Sequence, residues 1–451
     1  MSRPSHANRS MPNNATTLSE VHNQMPSHSD AISTMQTKDN MHKDDIFQLF
    51  GRHVSSGKVQ FFREAGLDFI FGRREGVRIY DIDGSRELYD CHCNGGVFNL
   101  GHRHPELVEA LRQALERYDI GNHHFVSEQR ARLAAQLAGL APGDLQYAIF
   151  ASGGGEAIDT AIKIARGATG RRQIISAKGG YHGHTGYALA AGDAKFRDPF
   201  LAASPDFTQV PFNDPEAIAD ALSAETAAVI METIPATIGM LQPDEGYFRA
   251  VRELCTRNGT LLIIDEVQSG LGRTGTLWAI EQFDCEPDIM VTAKGLSGGL
   301  YPIAATLISA ELEKLFHRDP FVHISTFGGA ELGCVVASKV LEISASADFL
   351  AQVQQLSVFF SSGLEKIRLA ASPHLQEIRQ RGLMTGLKFA HPDLGPAMAR
   401  ACFEAGLLCV FSGNDTSVLQ FLPPLIISEE EAAEILQRLG NAIALAQDML
   451  S

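Results

Sequence analysis

The chain has 451 residues, a formal net charge of −15, 45% hydrophobic and 20% charged residues. This balance describes a globular chain of two or more packed lobes and argues against nucleic acid or an anionic membrane surface as a partner, because both reward basic patches. No run of 18 apolar residues occurs, so no transmembrane helix is expected, and seven scattered cysteines without framework spacing suit a reducing cytoplasm.

Residues 1–43 are rich in Ser, Asn, His and Met, lack periodicity and lack the apolar core of a secretory signal. They read as a disordered tail. Residues 44–95 read as the first part of a small domain. In it "GVRIYDIDGSRELYDC" is two strands joined by a turn at Asp83-Gly84. The stretch "CHCNGGVFNLGHRH" gathers Cys91, His92, Cys93, His102 and His104 but lacks paired CxxC spacing. It reads as a strand end followed by a Gly-rich loop, and no metal is expected. Residues 96–345 read as a large domain, opened by the helical "HPELVEALRQALERY". From about Tyr147 to Ser309 the short apolar runs "YAIFAS", "QIISA", "AAVIMETI", "TLLIIDEV", "DIMVTA" and "AATLISA" alternate with helical stretches such as "GEAIDTAIKIARGATG" and "PDEGYFRAVRELCTRNG". Near-continuous apolar strands between helices predict an α/β fold with a mainly parallel sheet flanked by helices. Ligands bind such sheets beyond the carboxyl ends of their strands. Residues 346–451 hold a long helical region, then "IRQRGLMTGLKF", "LLCVFS" and "SVLQFLPPLIIS", the short strands of a second lobe. A last helix starts at an N-cap Ser428 with three glutamates in its first turn.

The chemistry gathers at strand ends. Four apolar residues deliver Asp265 to the end of a buried strand, where a carboxylate is costly without a cationic partner. Lys294 ends the next strand run, and a strand–helix–strand unit of that length brings two parallel neighbours together. Asp265 and Lys294 are therefore expected to face one cleft. Alone, the pair reads as a structural ion pair. Gly153 to Gly155, between a strand and a helix, add an anion site of backbone N–H groups. Ser325 and Thr326, beside Gly328-Gly329, add hydroxyls for phosphate oxygens. A lysine, a buried acid and a phosphate cradle together suggest pyridoxal 5′-phosphate.

"LLIIDEVQSGLGRTG…PDIMVTAKGLSGGLYPIAA" resembles the class III pyridoxal-phosphate aminotransferases of fold type I, from about Phe47 to the C-terminus. The resemblance implies a large pyridoxal-phosphate transferase domain and a smaller α/β domain formed from the N- and C-terminal segments. It implies Lys294 as the Schiff-base lysine and proton shuttle, and Asp265 as partner of the pyridine nitrogen. It implies Val267 against a ring face, Gln268 near the phenolic oxygen, and Gly154 and Gly155 at the phosphate. The family's Ser-Gly-Thr-Glu-Ala segment is "GGGEA" here, so phosphate binding leans on backbone donors. Tyr181 matches an aromatic that stacks on the ring, with His182 next to it; Tyr181 also reads as a half-buried core aromatic. Glu232 faces the same cleft as a cofactor contact or only as an acceptor for backbone donors. Arg273 reads as a loop anchor through a salt bridge rather than a substrate contact. Thr326 matches a threonine that reaches the phosphate of the neighbouring subunit, which implies a homodimer with its site at the interface.

Beyond the phosphate segment, the chain departs from that pattern at two further positions. The late Arg-x-x-Pro-Pro-Leu arginine, which clamps a substrate carboxylate, is Gln420 in "LQFLPPL". The glutamate that moves this arginine aside in some members is Thr237. Gln420 becomes a substrate-side residue without charge. The activity expected is transfer of an amino group from an amine or atypical amino compound to a 2-oxo acid, with pyruvate favoured over 2-oxoglutarate. An amino-acid racemase or epimerase, or a lyase, using the same cofactor is the alternative. A racemase needs a second base opposite Lys294, and no residue in the motifs declares itself as one.

Overall fold

A computed structural model describes residues 41–450. The expected disordered tail lies outside the described residues up to position 40, and Lys43 already begins a helix, Lys43–His53. Residues 41–63 belong to one compact unit and the chain from Glu64 onward forms the other. The smaller unit holds the Lys43–His53 helix, which buries Phe47, and most of the helix Ser56–Glu64.

Among the described residues fifteen strands follow. In chain order they are β1 (Phe71–Glu75), β2 (Arg78–Asp81), β3 (Glu87–Asp90), β4 (Leu145–Ala151), β5 (Gln173–Ala177), β6 (Phe207–Val210), β7 (Thr226–Glu232) and β8 (Leu261–Asp265). Then come β9 (Ile289–Thr292), β10 (Ala304–Ser309), β11 (Leu375–Arg381), β12 (Met384–Phe389), β13 (Leu407–Leu408), β14 (Val410–Phe411) and β15 (Val418–Phe421). The central sheet has the order β4-β10-β9-β8-β7-β5-β6. The pairs among β6, β5, β7, β8 and β9 are parallel, and β10 runs antiparallel to both of its neighbours. All six apolar runs read from the sequence are strands of this sheet.

Burial on both faces explains those runs. Every residue of β7 is buried, and successive residues feed opposite faces. Val229, Met231, Leu262, Ile264 and Met290 join one core, whereas Ala228, Ile230, Ile263, Ile289 and Val291 join the other. The second core is closed by Ile158, Ile162 and Ala165 of the helix Gly154–Thr169. That helix ends on Gly170, whose φ of +70° suits a glycine C-cap.

The connection between β8 and β9 is not the helix expected from the spacing. It carries only the 3₁₀ turn Ala279–Phe283. A parallel crossover needs length more than helix, and this one is filled by a compact loop with Trp278 fully buried.

Two smaller sheets complete the fold. The first has the order β1-β2-β3-β13, with Leu407 opposite Tyr89, so segments over 300 residues apart share one sheet. The second has the order β11-β12-β15-β14. The last helix, Glu429–Leu450, opens with a reciprocal cap. Ser428 Oγ accepts from Glu431 N–H at 3.2 Å, and Glu431 Oε2 accepts from Ser428 N–H at 3.2 Å. The Cys/His-rich stretch builds local structure: His102 Nε2 lies 2.9 Å from Asp90 Oδ2, and Asp90 Oδ1 also accepts from the His92 and Cys93 N–H groups. Among the described residues no group of three His, Cys, Asp or Glu side chains is placed to hold a metal.

Candidate active site

The carboxyl ends of three adjacent parallel strands define the site. Register sets Glu232 at the end of β7 opposite Asp265 at the end of β8, and Asp265 opposite Val291 of β9. Lys294 stands two residues beyond β9 and begins a 3₁₀ turn, Lys294–Ser297. A cleft of about 610 Å³ opens there, lined by Gly154, Gly155, Tyr181, His182, Glu232, Ile234, Asp265, Val267, Gln268, Ser269 and Lys294. Nine residues read from the sequence thus meet in one place, and Ile234 and Ser269 join them.

Lys294 has φ +42°, a conformation unusual for a non-glycine residue. Its carbonyl accepts from Ser297 Oγ at 2.6 Å, which helps hold the turn. The Nζ donates to Gln268 Oε1 at 3.1 Å. Burial lowers its pKa, against the pull of Asp265 and Glu232, so the neutral amine is more accessible than for an ordinary lysine. The loop from Cys93 to Gly96 approaches from the other side. A Cβ on Gly95, at φ +67°, would lie 3.2 Å from Lys294 Nζ. Backbone thus packs directly against the amine.

Asp265 and Lys294 line one cleft, as expected, without the ion pair that the two taken alone would suggest. Asp265 Oδ2 instead lies 2.9 Å from His182 Nδ1, and Oδ1 accepts the Val267 N–H at 3.0 Å. Burial opposes a charge on His182, but the hydrogen bond and charge of Asp265 outweigh it and raise the imidazole pKa. The hydrogen-bond partner of the buried carboxylate is therefore His182 rather than Lys294, whose amine feels Asp265 only through its charge. Glu232 accepts the Tyr181 N–H at 2.8 Å, and burial pushes its pKa up to about 7 despite the nearby His182. Burial, then the charges of Glu232 and Asp265, raise the Tyr181 phenol.

Three features fit a flat, phosphorylated ligand. The glycines 153–155 form the start of a 16-residue helix, whose first N–H groups have no partner within the helix. Gly155 also lets another segment pack close, since a Cβ there would meet Thr185 Oγ1 at 2.8 Å. Two buried nitrogens of the cleft, His182 Nε2 and Gln268 Nε2, have no partner among the described residues. Such orphans are expected where a bound group completes the hydrogen bonding.

Two residues stay apart. Thr326 is exposed and does not line the cleft of its own chain. Gln420 is buried in β15, where its Nε2 donates to Ala236 O at 3.4 Å and Ser412 Oγ at 3.3 Å. Thr237 donates to Gly179 O at 2.8 Å. Arg273 anchors its loop, but not through the expected salt bridge. It is fully buried and donates to Asn99 Oδ1, Leu383 O and Pro423 O. Uncharged acceptors from three distant segments replace the carboxylate.

The sequence reading missed Ile234, Ser269 and the buried Glu266. Ser269 and Glu266 sit inside the motif "DEVQSG", so their nearness to Asp265 was the available signal.

Comparison with known proteins agrees with this geometry. The family model for class-III aminotransferases matches residues 63–443. An uncharacterized aminotransferase of Archaeoglobus fulgidus is 55% identical over 404 residues, which cover 90% of this chain and 95% of that protein. The ornithine aminotransferase of Toxoplasma gondii ME49 superposes with a TM-score of 0.84 at 26% identity, covering 94% of this chain and 100% of the other. The N-acetylornithine aminotransferase of Stenotrophomonas maltophilia K279a gives a TM-score of 0.74 at 30% identity, over 87% and 100% of the two chains. With strand-end acids, a buried lysine and a glycine cradle in one cleft, this chain belongs to the class III aminotransferases and is a pyridoxal-phosphate-dependent enzyme of fold type I.

Proposed function

We propose that the enzyme moves an amino group from an amine or atypical amino compound to a small 2-oxo acid, with pyruvate preferred over 2-oxoglutarate. The observation that carries this reading is the absence of arginine from the cleft lining among the described residues. A second substrate carboxylate has no guanidinium to pair with there. At the position of the family's carboxylate clamp, Gln420 spends its amide on Ala236 and Ser412.

Each side chain has a role on this reading. Lys294 Nζ would hold the cofactor and would serve as the base that moves a proton at the substrate α-carbon. Its lowered pKa supports that work, because the neutral amine is the base. Asp265, braced by His182, would keep the pyridine nitrogen protonated. Tyr181, Val267, Glu232 and Gln268 would hold the ring, and Gly154 and Gly155 would hold the phosphate. Bound pyridoxal phosphate supplies the electron sink.

Thr326 completes the phosphate site from a second copy of the chain. The surface around it supports a homodimer: Phe321 and Phe327 are 58% and 60% exposed, and the nearby Phe125 and Val126 are 73% and 100% exposed. His124 and Phe321, with ring centroids 5.7 Å apart, join the two segments into one patch. The division at about residues 95 and 345 belongs to the same proposal, supported by the β3–β13 pair. So does a cytoplasmic setting, supported by seven free cysteines; among the described residues no helix is long and apolar enough to cross a membrane.

Likeness to ornithine and N-acetylornithine aminotransferases favours a second reading, with a terminal side-chain amine as donor. Half-reactions separate the two. On the first reading pyruvate regenerates the cofactor at least about tenfold faster than 2-oxoglutarate, a difference of about 1.4 kcal/mol in barrier. The reverse preference with ornithine as best donor overturns it. Gln420→Arg is expected to raise kcat/KM for 2-oxoglutarate selectively. Lys294→Ala is expected to bind cofactor yet give no adduct on that peptide after borohydride reduction. An adduct on another lysine would remove Lys294 from its role.

A further inference from the structure

Glu266 follows Asp265 and is 1% exposed. Its Oε1 accepts from Thr233 Oγ1 at 2.6 Å and Ile280 N–H at 2.8 Å. Its Oε2 accepts from Ser269 Oγ at 2.8 Å and Ala279 N–H at 3.1 Å. These donors come from the end of β7, the loop after β8 and the 3₁₀ turn, and none is cationic. Four donors fill the acceptor sites of an ionised carboxylate. Burial nevertheless raises its pKa to about 7, against the pull of those donors. A buried carboxylate without a counter-ion is a costly choice for packing alone.

Its partners adjoin the site. Thr233 follows Glu232, Ser269 follows Gln268 and itself lines the cleft, and Glu266 is bonded in sequence to Asp265. The Glu266 N–H also donates to Val291 O of β9 at 2.9 Å, just before Lys294. We propose that Glu266 is a positioning residue for transamination: one carboxylate clasps the ends of β7 and β8 and so sets Glu232, Asp265 and Gln268 against Lys294. The inference rests on the roles proposed above for those four residues.

The arrangement makes one substitution diagnostic. Each carboxylate oxygen takes one hydroxyl and one backbone N–H. A hydroxyl can turn, but a backbone N–H cannot. In Glu266→Gln either amide orientation sets an NH₂ against a backbone N–H. One side of the clasp must therefore open.

The test compares Glu266→Gln, Thr233→Val and Ser269→Ala as cofactor-loaded enzymes. Glu266→Gln is expected to lower kcat by about 10- to 100-fold with KM within about threefold. It should also shift the pH midpoint of the cofactor's visible absorption band, which reads the surroundings of Lys294. Combining Glu266→Gln with Thr233→Val and Ser269→Ala should cost much less than the product of the separate effects, because all act through one clasp. A lowered melting temperature with unchanged kcat and band midpoint would make Glu266 a packing strut and overturn the proposal. If Glu266→Gln does not fold, Thr233→Val, which leaves three donors in place, carries the same readouts. Borohydride trapping in each variant keeps the two claims apart. An adduct elsewhere than Lys294 defeats the site assignment, whereas an adduct on Lys294 with unaltered kinetics defeats only the clasp.

Discussion

Around Lys294 a few ångströms decide the behaviour of individual groups. Gly95 tolerates φ +67° and leaves the amine room. Gly95→Ala adds left-handed strain of about 1 kcal/mol and sets a methyl against Nζ. The expected result is a drop in kcat of about tenfold or more with the fold retained, read by kinetics beside circular dichroism. Glu232 gives a pH prediction. Its folded-state pKa of about 7 lies above the ordinary 4.5, so the folded protein holds this proton more tightly than the unfolded chain. The resulting stability is complete below pH 4.5 and is lost as pH rises to about 7. Cofactor-free Glu232→Gln should lose less stability than the parent between those values in denaturant melts. An equal decline in both proteins would reassign the titration. That Lys294, Asp265 and Gln268 share one cleft was legible because they lie in one short motif pair. The Asp265–His182 bond was not, since 83 positions separate its partners.

Secondary structure was most legible where burial was complete. The central strands covered on both faces announce themselves as apolar runs, and the edge strand β4 was found with them because its exposed face still carries apolar side chains. Strands β1 and β6 were missed because both lie at sheet edges and carry partly exposed, polar residues. The β8–β9 connection was misread for a different reason. Loop and helix can span the same distance, and the loop is held by contacts to distant segments, such as the Trp278 indole N–H donating to Leu140 O at 2.7 Å. The last helix offers a clean test of capping. Ser428→Ala removes the acceptor for Glu431 N–H and should lower stability by about 1 kcal/mol in chemical denaturation, without altering kcat.

Over the whole molecule, distant segments are tied together by a few buried polar groups. Arg273 joins Asn99, Leu383 and Pro423. Arg273→Met leaves those acceptors without donors, at roughly 1–3 kcal/mol each, and is expected to lower the melting temperature by about 3–10 °C. The proposed dimer is tested at the exposed aromatic patch. Phe327→Asp should give a monomer in sedimentation that retains less cofactor, because Thr326 then serves no neighbour. A dimer with full cofactor retention would exclude this patch as the interface. The sequence alone determined the α/β class, the parallel strands and the lysine–acid–glycine constellation, because these depend on local periodicity and on motifs spanning a few residues. Tertiary structure alone decided that Asp265 pairs with His182, that Arg273 needs no carboxylate and that Glu266 clasps two strand ends. Each of these depends on which buried donor meets which buried acceptor, and chain separation carries no information about that.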